Sequence, residues 1–186
     1  VFTTTGWYKL DGKYVFLMPG DEKTIVELPP KMSGYKMTRS FTEEDIRTAF
    51  SLFESKLANE EIIYPLFSFV FLSPLTSFLR EVGCEPKTVL MLIGKTGSKK
   101  STLAALMLSF FGSFTSSTLP LSFKDTAKSI LYHSFSLKDV LTCIDDFHPT
   151  GRGDVFNMTQ TAQTIFRSYG DRVGRGRLNI SSEPME

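Results

Sequence analysis

Thr88-Val89-Leu90-Met91-Leu92-Ile93-Gly94-Lys95-Thr96-Gly97-Ser98-Lys99-Lys100-Ser101-Thr102-Leu103 is the stretch on which the reading of this chain turns. Its apolar run, Val89 to Ile93, predicts a buried strand. Leu103, Leu106, Met107 and Phe110 then recur at helical spacing as far as Gly112. Between strand and helix, the segment from Gly94 to Ser101 matches G-x-x-x-x-G-K-[ST], except that Lys99 stands where the pattern has its second glycine.

Phosphates are held by convergent donors that are already in place, and successive backbone N–H groups at the start of a helix supply them. Gly97 suits a position with φ > 0. Lys100 is the residue that can reach the β- and γ-phosphates, and the Ser101 hydroxyl the one that can hold Mg²⁺. Gly94, Lys95, Thr96, Gly97, Ser98, Lys99, Lys100, Ser101 and Thr102 are therefore the candidate ATP contacts. A side chain at Lys99 either hinders the approach to phosphate or adds neutralising charge. With Lys99 as the phosphate lysine, Lys100 would occupy the place of the metal-binding hydroxyl, which rules out that register.

The chain has 186 residues and a net charge of +1, enough length for a sizeable core and no global pull toward nucleic acid or a membrane. Cys84 and Cys143 are far apart, with no metal-ligand spacing around them, and read as reduced thiols of a cytoplasmic protein. A start at Val1 reads as a fragment of something longer.

Toward the N-terminus, Trp7 to Leu10 and Lys13 to Phe16 flank Asp11-Gly12, a hairpin signal. Trp7 and Tyr8 can serve cross-strand packing or a ligand, packing being the plainer use. Ile25 to Leu28 predicts a further strand before Pro29-Pro30. Thr42 with Asp45 reads as a capping box before an amphipathic helix. The uncharged run Ile62 to Leu79 approaches the length of a membrane span, but Pro65 and Pro74 interrupt it and no aromatic or basic flank frames it, so it predicts a buried helix or a broken helix pair and no membrane partner. After Gly112, read as a helix cap, come a short strand at Leu119 to Phe123, a helix from Asp125 to Phe135, a strand at Val140 to Ile144, and a helix from Asp154 to Tyr169. The expected fold class is α/β, a P-loop NTPase with a mainly parallel sheet flanked by helices. Its divisions are a small β appendage at 1–38, a helical segment at 39–85 and an ATPase core at 86–186 that reads as incomplete at its C-terminal side.

Asp145-Asp146 follow the strand directly. The first carboxylate is assigned to Mg²⁺ and the second to the attacking water. His148 can contact phosphate or nucleic acid, or simply form the turn before Pro149. Arg167, Arg172, Arg175 and Arg177 make a dense basic cluster with glycines between its members. It can serve a neighbour's nucleotide, DNA or only solvent, and Arg172 and Arg175 are the finger candidates.

Taken together, Gly94-Lys-Thr-Gly-Ser-Lys-Lys-Ser-Thr-Leu, Leu119-Pro-Leu-Ser-Phe-Lys-Asp, Cys143-Ile-Asp-Asp-Phe-His-Pro and Tyr169-Gly-Asp-Arg-Val-Gly-Arg-Gly-Arg-Leu resemble ATPase domains encoded by prophages and genomic islands, related to MCM-like AAA+ replicative helicases. The resemblance extends to Gly6-Trp7-Tyr8 and to Tyr64-Pro65-Leu66. It implies a self-assembled ring, a hexamer in that family, with ATP between subunits, single-stranded DNA through the centre, and a primase or loader as partner. It also implies an AAA+ core continuing through a sensor strand and lid, of which Ile180-Ser181-Ser182-Glu183-Pro184 is a candidate remnant.

Overall fold

Asp11 and Gly12 close the hairpin that the sequence predicts, with φ of 48° and 78°. Those values suit the tight turn that matches the twist of its flanking strands. The structure is a computed structural model and describes residues 1–21, 23–38, 40–54 and 57–171. Strand β1 (Gly6–Leu10) pairs antiparallel with β2 (Lys13–Leu17), placing Trp7 opposite Phe16 and Tyr8 opposite Val15. The Trp7 ring meets Phe16 edge-on at 5.1 Å and Phe78 at 5.2 Å, and its indole N–H donates to the Pro74 carbonyl at 2.7 Å. Packing is thus the work of Trp7. The strand expected at Ile25 to Leu28 is not formed: Val26 makes only an isolated bridge to Phe2, and Pro30–Met32 turns as a 3-10 helix. Proline, with no N–H to give, ends any ladder there.

Helix α1 (Glu43–Glu54) opens on the expected capping box, the Asp45 N–H donating to the Thr42 hydroxyl and the Thr42 N–H to the Asp45 carboxylate at 2.7 Å. The Thr42 backbone N–H, and then its hydroxyl, hold the Asp45 carboxyl below its usual range. No residue of α1 is fully buried, and the helix rests on its neighbour through Phe53, stacked on Phe67 at 3.7 Å.

The apolar run forms α2 (Glu60–Leu72), a 3-10 turn at Ser73–Leu75, and α3 (Thr76–Glu81). The break falls at Pro74, a residue that cannot donate to the preceding turn, whereas Pro65, also expected to interrupt the run, lies inside α2. By length and composition Glu60–Glu81 is apolar enough to cross a membrane. In this structure Ile63, Leu66, Phe67 and Val70 are buried in the core while Ile62, Tyr64, Phe71 and Leu75 are exposed, so the helix pair is buried along one face only.

Helix α4 (Lys100–Leu108) leads into a 3-10 turn at Ser109–Phe111. Gly112, where it ends, does more than cap. The Ser113 N–H donates to Gly34 O at 2.9 Å, and a Cβ on Gly112 would lie 2.0 Å from that same oxygen. Only glycine allows the two chain segments to cross this closely.

Beyond it come β3 (Leu121–Ser122), α5 (Ala127–Phe135), β4 (Ile144–Asp145) and α6 (Arg152–Asp171). Strands β3 and β4 are parallel, with Leu121 beside Ile144 and Ser122 beside Asp145. The class is mixed α/β, and the described residues form two sheets of two strands each, with no larger parallel sheet.

Two strand expectations are corrected by this topology. Val89 to Ile93 alternates like a strand, with Leu90 and Leu92 packed against the core and Val89, Met91 and Ile93 exposed, yet it joins no ladder. Val140 to Cys143 likewise enters none, and the strand there shrinks to Ile144–Asp145. Strand character is a property of a pair, and apolar residues without a hydrogen-bonded neighbour do not make one.

One buried carboxylate ties the segments that lead into the two motifs. Asp139, immediately before Val140, accepts from the Trp7 N–H at 3.1 Å, the Ser77 N–H at 2.9 Å and the Ser77 hydroxyl at 2.7 Å. It is 7% exposed. The adjacent Lys138 ammonium donates to Trp7 O at 2.8 Å. Hairpin, α3 and the start of the acidic segment thus share one polar knot. Around it the core includes Met32, Tyr35, Leu108, Leu121, Ile130 and Ile165, and each fully buried side chain of this size contributes about 1.5–3 kcal/mol. The Tyr35 hydroxyl donates to Leu141 O at 2.9 Å, and burial pushes its phenol well above the usual range.

Candidate nucleotide-binding site

At the head of α4 the chain turns twice through left-handed backbone, at Gly97 (φ 81°) and at Lys99 (φ 60°, ψ 25°). The Ser98 N–H closes onto Lys95 O at 3.2 Å, and the Leu103 N–H onto Lys99 O at 3.0 Å. Lys100 then folds back into the loop, its ammonium donating to Gly94 O at 2.9 Å, Lys95 O at 2.9 Å and the Ser98 hydroxyl at 3.4 Å. The N–H groups of Lys100, Ser101 and Thr102 belong to the first turn of α4, where no intrahelical acceptor exists for them. Free donors, a helix start and an ammonium in the middle of the ring are what a phosphate requires.

Glycine is the natural occupant of a left-handed position, and Lys99 holds one. The conformation costs a non-glycine residue about 1–2 kcal/mol. Lys99→Gly removes that cost but adds about 0.5–1 kcal/mol of backbone entropy lost on folding. A net gain of up to about 1.5 kcal/mol raises the melting temperature by up to about 3–6 °C in a chain of this size. A fall on calorimetry would mean that the Lys99 side chain makes contacts worth more than its strain.

Off the end of β4, Asp145 is half-buried and Asp146 exposed. Asp146 sits at φ 62°, a value that aspartate tolerates better than most residues. Its Oδ2 accepts from the Lys124 ammonium at 3.2 Å and from the Ser122 hydroxyl at 3.4 Å. The sequence reading missed both donors, because their convergence depends on the β3–β4 register, which no local pattern encodes. The Asp146 carbonyl accepts the His148 N–H at 2.8 Å, so His148 has the turn role through its backbone. Nearby, Cys143 is a poor nucleophile, since burial and then the Asp145 charge push its thiol up to about 12.

The two halves of the candidate site are not joined by any hydrogen bond or ion pair among the described residues. What they share is packing: Leu90, Leu92 and Leu103 from the loop side and Cys143 and Ile144 from the acidic side all lie against one core. Among the described residues no group of three or more acidic, histidine or cysteine side chains is placed to hold a metal ion. The metal expected here needs none, because Ser101 and Asp145 would be its only protein groups, and hydroxyl and carboxylate oxygens are the donors that Mg²⁺ prefers. Arg167 lies on the exposed side of α6, whereas Arg172, Arg175 and Arg177 lie outside the described residues. A shallow groove elsewhere, lined by Trp7, Phe16, Met18, Lys36, Pro74 and Phe110, includes no loop or acidic-motif residue. No family model, curated protein or solved structure matches the chain.

Proposed function

We propose that the chain is an ATP-binding and ATP-hydrolysing domain of P-loop type, the motor part of a DNA helicase or translocase that replicates mobile-element DNA. The observation that carries the nucleotide half is the Lys100 ammonium held by Gly94 O and Lys95 O at the start of α4. An ammonium held by two carbonyls is poised, because a triphosphate can replace those acceptors with stronger, charged ones. Lys100 binds the β- and γ-phosphates, the loop N–H groups enclose them, and Asp146 accepts the proton of the attacking water. Ser101 and Asp145 would hold Mg²⁺, which would supply charge neutralisation for the phosphates. Although Lys99 departs from the pattern, its left-handed backbone supports a loop that keeps the required shape.

The DNA half rests on the resemblance. In this reading copies of the chain assemble into a ring around single-stranded DNA, and an arginine of the 172–177 segment completes a neighbour's site. Steady-state ATP hydrolysis, with and without single-stranded DNA, tests it. The motor reading expects DNA to raise the rate several-fold. A rate indifferent to DNA would instead identify a regulatory switch, and no hydrolysis at all an assembly module.

A further inference from the structure

Among the described residues, the four non-glycine positions with left-handed φ are Asp11, Lys99, Asp139 and Asp146. Asp11 belongs to the hairpin turn, Lys99 to the phosphate loop and Asp139 to the buried knot. Asp146 belongs to none of these, and left-handed backbone at a non-glycine residue gathers at functional sites. What holds its side chain is a turn fastened at several points. Phe123 N–H donates to Asp145 O at 2.8 Å, Ser122 N–H to the Asp125 carboxylate at 3.1 Å, and Lys124 N–H to the Ser122 hydroxyl at 3.1 Å. Asp125 is anchored in turn by Lys31, and although burial works to raise its carboxyl, the Lys31 ammonium and the Ser122 N–H outweigh it and hold it below the usual range. From this turn the Lys124 ammonium reaches Asp146 Oδ2 at 3.2 Å, and the Ser122 hydroxyl reaches the same oxygen.

We propose that Lys124 is a positioning residue that latches Asp146, its ammonium and the Ser122 hydroxyl occupying the carboxylate oxygen Oδ2 that would otherwise accept the proton of the attacking water. The inference rests on the reading of Asp146 as the water-activating group. With Lys124 and Ser122 both on Oδ2, the carboxylate direction is set by the β3 turn. Both side chains of the ion pair are more than half exposed or nearly so, 67% and 50%, and such a pair contributes little to stability. It therefore opens easily when phosphate charge competes for the ammonium, and its loss leaves the fold intact.

The test is the ATP hydrolysis of Lys124→Met and Lys124→Arg beside the natural protein and Asp146→Asn, with kcat and KM separated. The latch predicts that Lys124→Met raises kcat about threefold, the population shift available from an exposed pair, with KM unchanged. Lys124→Arg, which keeps the charge, stays at the natural rate, and Asp146→Asn abolishes hydrolysis with or without Lys124→Met. If Asp146→Asn abolishes hydrolysis but Lys124→Met leaves kcat unchanged or lowers it, the latch is wrong while the reading of Asp146 stands. A raised KM would make Lys124 a phosphate ligand and also overturn the latch. Hydrolysis that survives Asp146→Asn, or is absent throughout, removes the reading beneath the latch and the latch with it.

Discussion

If the proposed function holds, Lys100→Ala is expected to lower ATP hydrolysis by at least about 100-fold, the loss that follows removal of one preorganised donor from a site of developing charge. The alanine leaves Gly94 O and Lys95 O facing the phosphates with no ammonium between them. Two carbonyl dipoles then repel the charge that the loop is arranged to hold. Lys100→Arg is a poor substitute, because a planar guanidinium cannot enter the ring formed by two carbonyls and the Ser98 hydroxyl as a compact ammonium does. The fold is not at stake, since Lys100 contributes no buried apolar group. Rates measured beside an unchanged melting temperature separate the two effects, and a Lys100→Ala protein as active as the natural one would remove Lys100 from the chemistry.

Asp139→Ala has the largest expected effect on stability. It leaves the N–H groups of Trp7 and Ser77 and the Ser77 hydroxyl without the acceptor they share. Breaking a buried charged hub of this kind costs about 3–5 kcal/mol. Alanine is also less at ease than aspartate at φ 55°. A melting temperature lower by about 10 °C is expected, with Asp139→Asn falling roughly half as far because its carbonyl still accepts from one donor. A loss under about 1 kcal/mol in denaturant unfolding would mean that the knot is not what joins the hairpin to α3.

The parts legible in the sequence are those decided by neighbours in the chain. Asp11-Gly12 makes its hairpin wherever the flanking residues alternate, and Thr42 and Asp45 cap α1 across three residues. Lys100 likewise finds its acceptors within the loop. What was not legible depends on partners distant in the chain. Val89 to Ile93 has the composition of a strand but no ladder among the described residues, and Ile25 to Leu28 has one bridge. Asp139 reads as one more surface acid until Trp7 and Ser77 close on it from two other segments. Lys124 is unremarkable in a turn until parallel pairing of β3 with β4 brings it to Asp146.

The most direct measurement of the central claim is an amide NMR titration of the isotope-labelled chain with ATP in the presence of Mg²⁺. The account predicts saturable shifts at Gly94 to Leu103, the largest at Lys100, Ser101 and Thr102, and a second set at Asp145 and Asp146 as the acidic motif engages the same ligand. A spectrum that ATP leaves unchanged at the loop, or shifts confined to the groove around Trp7 and Phe110, would contradict it.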